Sequence, residues 1–384
     1  MAVRLTVPAL IKSTRYESLD HWRGLACLAV LVTHSAWNRS GTSGELVLET
    51  IAARLWIGVP VFFVISGYCI SAAVDAHRRH GRPLSQYFTR RLRRIFPPYW
   101  YVLLGTATLV GILDVVGVPM VESDAFLRPW WYDARQWLGN LTLTETWRYH
   151  VLPGQKALLL GHAWTLCFEE QFYIVCGLLI WLAGRRFFLA GVGVSFGVAV
   201  TVLGSRLSGV EIDGFFFDGS WYQFWFGMVL YHAVNYGDRT SRVIAAAVFL
   251  IAAVLAAWQP QLLLAREKNP EQAFLVASVF ACTALVLHRF DREIASAPFL
   301  RFFQLCGTMC YSLYLVHLPV VSIIKAVCFW ASFKPTPLAS LALCIPPSLL
   351  VAWWFHVSVE RKFLNRPLAA VRTPKGQVAS APAI

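Results

Sequence analysis

The stretch RGLACLAVLVTH, from Arg23 to His34, places ten residues without a formal charge between a cation and an imidazole. In an α-helix, eleven steps of about 100° bring His34 back to within roughly 20° of Arg23, roughly 16 Å further along the axis. Both side chains then lie on one face of one apolar helix. Ionisable residues are costly in lipid and usually face a bundle interior or a wet cavity. The stretch therefore predicts a membrane span that contributes to a functional site.

The rest of the chain also has the composition of a membrane protein. Of its 384 residues, 57% are hydrophobic and only 14% are charged, against roughly a quarter charged in soluble domains. The net charge of +13 does not indicate nucleic-acid binding, because Lys and Arg cluster in short runs between apolar segments, such as RRLRR at 90–94. Runs of this kind orient helices in a bilayer, with positive charge on the cytoplasmic side. We expect the lipid bilayer, and no nucleic acid, among the partners.

Ten segments are long and apolar enough to be spans, which need about 20 residues each. They lie at about 21–38, 52–74, 96–118, 163–183, 187–203, 220–236, 243–258, 272–288, 302–326 and 336–358. If both termini are inside, the arginine-rich loops all fall on the cytoplasmic side. The sequence thus predicts an all-α polytopic membrane protein, with about ten transmembrane helices in one bundle and cytoplasmic N- and C-termini.

This topology divides the chain into three regions. Residues 1–20 form a cytoplasmic N-terminal segment, residues 21–368 form the membrane domain, and residues 369–384 form a disordered cytoplasmic tail. The nine cysteines are scattered, mostly within apolar segments, and form no CxxC pair. Their pattern favours packing between helices, so we predict neither disulfides nor a metal site.

One group of intramembrane polar residues is cationic and lies near the cytoplasmic side. It comprises Arg23, Arg91 and Arg94. Guanidinium groups suit phosphate recognition, although an arginine at a cytoplasmic helix end is often only a topology signal. Asp20, three residues before Arg23, can also pair with it across one helical turn.

A second group lies in the outer half of the bundle. It holds His34, His317 and one carboxylate from the pair Glu169 and Glu170, which point about 100° apart on a helix. A histidine beside a carboxylate suits general base catalysis. A lone histidine in a span can equally serve as a hydrogen-bond donor between helices.

Six motifs together resemble the acyltransferase-3 family of bacterial integral-membrane O-acyltransferases, over roughly residues 15–368. In chain order they are LDHWRGLACLAVLVTH, VFFVISGY, FTRRLRRIFPPYW, HAWTLCFEEQFY, GTMCYSLYLVHLP and VERKF. The resemblance implies transfer of an acyl group, commonly acetyl, from acyl-CoA to a hydroxyl of a sugar or envelope glycan. It implies acyl-CoA as a co-substrate, no permanently bound cofactor, a glycan or lipid-linked sugar acceptor, and location in the bacterial inner membrane. The region 21–368 is then a membrane acyltransferase domain.

The resemblance also implies roles for individual residues. Arg23 and His34 match the essential pair of the family, Arg91 and Arg94 match the basic pair of span three, and Glu169 matches the acid of the Trp-x4-Glu motif. We therefore expect His34 and Glu169 to be catalytic and the three arginines to bind the donor. The supporting candidates are Asp20, Ser66, Trp164, Glu170, Tyr173, Tyr311 and His317. The chain departs from the family pattern at Thr165, where serine is usual, and at Lys362, where proline is usual.

From these roles we expect His34, oriented by Glu169, to abstract the proton of the acceptor hydroxyl. The activated oxygen then attacks the thioester carbonyl, directly or through an acyl-histidine intermediate. The alternative is a proton-coupled transporter that uses the same buried Arg, His and Glu residues as a relay.

Overall fold

The computed structural model describes residues 16–37, 43–118, 128–258 and 270–364, and within these ranges every regular element is a helix. The predicted N-terminal segment up to residue 15 and the predicted tail at 369–384 lie outside the described residues. The helices are α1 (Leu19–Ser35), α2 (Ser43–Arg54), α3 (Gly58–Arg79), α4 (Leu84–Val115), α5 (Ala134–Thr142), α6 (Glu145–Val151), α7 (Trp164–Ala183), α8 (Phe187–Ser208), α9 (Ser220–Asn235), α10 (Arg239–Trp258), α11 (Pro270–Leu287), α12 (Asp291–Ser296), α13 (Arg301–Thr308), α14 (Cys310–Trp330), α15 (Pro337–Phe355) and α16 (Arg361–Phe363).

Eight helical stretches of the described chain are long and apolar enough to cross a membrane. The other two predicted spans coincide with α1 and α9, which have 17 and 16 residues and are shorter than the roughly 20 that a span needs. All ten predicted segments are therefore helical, and eight meet the length of a span. The prediction of an all-α polytopic membrane protein is confirmed.

Two helix boundaries differ from the prediction. Helix α4 has 32 residues and extends about 48 Å, which exceeds the roughly 30 Å of the hydrocarbon core. Its first three turns carry the RRLRR run, which hydropathy alone assigns to a loop. The predicted span at 302–326 is interrupted between α13 and α14 at Met309, whose φ of −104° and ψ of 19° are not helical.

Contacts at the two ends of the bundle agree with helices that alternate in direction. The backbone N–H groups of Glu17 and Ser18, before α1, donate to the carboxylate of Asp291, just after α11. At the other end of α1, the backbone N–H of Trp37 donates to Ser340 Oγ in the first turn of α15. Both contacts fit a bundle in which α1 runs in the direction opposite to α11 and α15.

The segment between α4 and α7 folds onto the bundle around a buried ion pair. Glu145 accepts hydrogen bonds from Arg148 Nε at 2.7 Å and from the backbone N–H of Ala157 at 2.8 Å. The bonds to Glu145 raise the pKa of Arg148. Asn140 accepts from the backbone N–H of Leu159 at 2.9 Å. This network fixes the chain that leads into α7, where several predicted site residues lie.

Candidate active site

The three predicted arginines line one cavity of about 60 Å³ near the start of α4. We call it the arginine pocket. Its polar lining is Arg23, Ser66, Cys69, Arg91, Arg94, Thr165, Glu169, Tyr173, Cys310, Tyr311 and Tyr314. The structure therefore brings the whole predicted cationic group together, with four of the supporting or catalytic candidates beside it.

Arg23 is held from two sides within this pocket. Its Nη1 donates to Asp20 Oδ1 at 3.0 Å, which is the pairing expected across one helical turn. Its Nη2 contacts Cys69 Sγ at 2.7 Å. These contacts anchor the guanidinium group of α1 against α3.

Arg91 belongs to a chain of contacts that ends at a carboxylate. Its guanidinium carbon lies 4.8 Å from the ring centre of Tyr173, and its Nη1 donates to the Tyr173 hydroxyl at 3.5 Å. That hydroxyl donates to Glu169 Oε1 at 2.6 Å. The side chain of Arg91 is buried, so the stacked ring and the carboxylate fix its orientation.

The predicted histidines line a second, larger cavity of about 350 Å³, which we call the histidine cavity. Its polar and aromatic lining is Cys27, His34, Phe62, Phe63, His162, Trp164, Thr165, Tyr314, His317, Ser322 and Lys325. The ring centres of His34 and His317 lie 5.4 Å apart, and those of His317 and His162 lie 5.0 Å apart. Three imidazoles thus form a continuous row along one wall.

Backbone carbonyls determine the tautomer of His317. Its Nδ1 lies 2.7 Å from the carbonyl oxygen of Tyr314 and 3.0 Å from that of Leu313. Carbonyl oxygens only accept, so Nδ1 carries a hydrogen, and in the neutral ring Nε2 carries the lone pair. Nε2 is buried and has no hydrogen-bond partner among the described residues.

The two cavities share a wall. Phe62, Phe63, Thr165 and Tyr314 line both of them. The Thr165 hydroxyl donates to the Tyr314 hydroxyl at 2.8 Å. Thr165, where the family usually has serine, is therefore part of the shared wall. A group that enters the arginine pocket is therefore separated from the histidine cavity by a few side chains.

The structure does not bring the predicted carboxylate beside His34. Glu169 lines the arginine pocket, and the ring nearest to His34 in the histidine cavity is that of His317. Glu170 is not among the described residues that line either cavity, and its buried Oε1 has no hydrogen-bond partner in the described chain. The difference is one of depth, because Thr165 lines both cavities and Glu169 lies one helical turn further along the same face of α7, within the arginine pocket.

Two residues of the histidine cavity were missed by the sequence analysis. His162 lies in a short 3-10 helix, Gly161–Ala163, just before α7, and the motif HAWTLCFEEQFY begins with it. Lys325 in α14 lies with its Nζ 5.6 Å from the ring centre of Trp37. Within the described ranges, no cluster of His, Cys, Asp and Glu has the arrangement needed to hold a metal ion.

Comparison with known proteins identifies relatives of this chain. O-acetyltransferase OatA of Staphylococcus aureus (strain NCTC 8325 / PS 47) is 27% identical over 183 residues, which cover 46% of this chain and 26% of OatA. "Putative O-acetyltransferase SACOL0978" of Staphylococcus aureus (strain COL) is 29% identical over 214 residues, which cover 53% of this chain and 31% of that protein. The matched stretches therefore span less than a third of the length of either relative. No solved structure matches.

A family model described as an acyltransferase domain matches residues 16–357. This match covers both cavities and nearly the whole described bundle. The chain belongs to the acyltransferase-3 family.

Proposed function

We propose that this protein is a membrane O-acetyltransferase that moves an acetyl group from acetyl-CoA to a hydroxyl of a sugar or envelope glycan. The observation that carries the proposal is the shared wall between the arginine pocket and the histidine cavity. One cavity presents cations to an anionic donor, and the other presents neutral bases to a hydroxyl. The names of the relatives support the acetyl group and the oxygen acceptor.

The donor enters the arginine pocket from the cytoplasm. A volume of about 60 Å³ holds only a few atoms, so the nucleotide of CoA stays outside while the acyl thioester end passes inward. Arg94 is half-buried and Arg91 is buried. The two side chains therefore line the entrance and the interior, where they would bind CoA phosphates or the thioester arm.

His34 acts as the general base in this proposal. Its imidazole accepts the proton of the acceptor hydroxyl, and the oxygen attacks the thioester carbonyl carbon to form the ester C–O bond. The C–S bond breaks with its electron pair on sulfur, and the CoA thiolate takes the proton from the imidazolium of His34. Glu169 acts on the donor side as a positioning residue, because its carboxylate holds Tyr173 and thereby Arg91.

The test follows radiolabel from acetyl-CoA into envelope material, in membranes with matched amounts of each variant. We expect His34→Ala to lower transfer by at least about a hundredfold, because general base catalysis contributes about 10²–10⁴-fold. His21→Ala is the matched control, because His21 is a buried histidine of the same helix that is not among the described residues lining either cavity. Gel filtration of each variant checks folding.

Release of free CoA in proportion to the labelled product would distinguish a transferase from a transporter. Equal transfer by the wild type and His34→Ala would remove His34 from the chemistry. Wild-type membranes that transfer no label above vector-only membranes would refute acetyl transfer from acetyl-CoA.

A further inference from the structure

The row of imidazoles leaves several buried ring nitrogens without partners. His162 is 6% exposed and His317 is 2% exposed. Both ring nitrogens of His162 and the Nε2 of His317 have no hydrogen-bond partner among the described residues. Buried polar atoms in folded proteins are nearly always paired, so unpaired atoms that line a cavity indicate a place for ligand groups.

The backbone around His162 is firmly held, which leaves its ring for the cavity. The His162 carbonyl accepts from the Tyr314 hydroxyl at 2.6 Å, and Thr165 Oγ1 lies 3.3 Å from the same carbonyl oxygen. The ring packs edge-on against Tyr314, with the ring centres 4.8 Å apart. Packing against Tyr314 thus sets the orientation of the His162 ring, with the backbone of Tyr314 and Leu315 close to it.

The two histidines offer complementary hydrogen-bonding groups. A neutral imidazole such as His162 has one donor and one acceptor, whereas His317 presents only the lone pair of Nε2. A hydroxyl group both donates and accepts, so adjacent hydroxyls satisfy both rings. Ionised phosphate or carboxylate oxygens only accept and cannot pair with the Nε2 lone pair of a neutral His317.

Part of the remaining lining of the cavity is aromatic. Trp164 and Phe63 pack edge to face, with ring centres 6.0 Å apart, and Phe62 lies beside them in the lining. A sugar ring presents hydroxyls along its edge and C–H groups on its faces, which suits a cavity that offers both polar atoms and aromatic surface.

We propose that His162 and His317 form an acceptor subsite that binds a hydroxylated sugar ring and places its reacting hydroxyl at His34. This inference rests on the proposed function and adds to it the residues that select the acceptor. His162 touches the acceptor in this arrangement and does not take part in donor binding, since it is not among the described residues that line the arginine pocket.

The test measures acceptor and donor dependence separately in solubilised enzyme. The acceptor is the envelope glycan fraction extracted from the producing cells, and the donor is acetyl-CoA. We expect His162→Phe, which keeps a ring and removes both nitrogens, to raise the glycan concentration for half-maximal rate at least about tenfold. The half-maximal acetyl-CoA concentration should stay within about twofold of wild type. His162→Gln, which restores amide hydrogen bonding, should recover part of the loss.

His21→Phe is the matched control, because it also replaces a buried histidine, 4% exposed, whose ring nitrogens have no partner in the described chain. It should leave both half-maximal concentrations unchanged. A His162→Phe enzyme with unchanged acceptor dependence, or with equal shifts for donor and acceptor, would overturn the subsite and leave the proposed function intact. A wild-type enzyme that transfers no label would refute the proposed function, and the acceptor subsite with it.

Discussion

At the scale of single residues, the phenol of Tyr173 links the cation of the arginine pocket to its carboxylate. Tyr173→Phe keeps the ring under Arg91 and removes the hydroxyl that donates to Glu169. A hydrogen bond to a charged group contributes about 1.5–3 kcal/mol, so we expect the apparent KM for acetyl-CoA to rise at least about tenfold with little change in kcat. Steady-state kinetics at saturating acceptor measure both constants.

The control for this change is Tyr222→Phe. Tyr222 is buried, its hydroxyl donates to the backbone carbonyl of Ser195 at 3.4 Å, and it is not among the described residues lining either cavity. It should leave KM unchanged. A Tyr173→Phe enzyme that loses kcat and keeps its KM for acetyl-CoA would contradict the placement of the donor in the arginine pocket.

Sequence spacing predicted which residues share a helix face, but not which helices meet. The grouping of the three arginines follows from their spacing and depth, and one cavity lining contains all of them. The pairing of His34 with Glu169 did not follow, because hydropathy places the outer end of α7 only to within several residues, and Glu169 lies one turn beyond Thr165, which lines both cavities. His162 was not identified as an ionisable residue within a span, because it lies in a short 3-10 helix before the apolar part of α7.

At the scale of helices, backbone contact between α3 and α9 depends on glycine. A Cβ atom on Gly67 would lie 2.0 Å from the carbonyl oxygen of Phe224, and one on Gly227 would lie 2.1 Å from that of Val64. Gly67→Ala must push the two helices apart, and overpacking of this kind costs about 1–3 kcal/mol. We expect a lower midpoint of thermal unfolding in detergent.

Gly105→Ala provides the comparison for that measurement. Gly105 lies within α4, and a Cβ atom there meets no described atom within 4 Å. Alanine is the better helix former by about 0.5–1 kcal/mol, so this variant should melt at or above the wild-type temperature. Equal midpoints of thermal unfolding for Gly67→Ala and Gly105→Ala would show that α3 and α9 can move apart without loss of stability.

Helix positions were more predictable than helix ends. All ten apolar segments are helical because lipid requires every backbone polar group to be satisfied within the segment. Hydropathy does not detect the amphipathic start of α4, since its arginines lower the mean although the backbone continues as a helix. It also does not detect the interruption at Met309, because the apolar composition continues across it.

At the scale of the whole molecule, the two cavities lie one above the other through the bundle. Arg23 lines one and His34 lines the other, so the opening helix runs alongside both. Arg23 and His34 therefore share one face of α1 because each of them lines one of the two cavities. If the start of α1 is cytoplasmic, the arginine pocket faces the compartment that supplies acyl-CoA and the histidine cavity faces the envelope.

Cysteine labelling in intact cells tests that orientation. Ser85 is an exposed residue in the first turn of α4, and Val151 is 70% exposed at the end of α6. With positive charge inside, a membrane-impermeant maleimide should label Val151→Cys in intact cells and label Ser85→Cys only after the cells are opened. Labelling of the wild type, with its nine native cysteines, gives the background to subtract. The reverse pattern would place the arginine pocket on the envelope side, where acyl-CoA is absent, and would refute a cytoplasmic donor while leaving the fold unchanged.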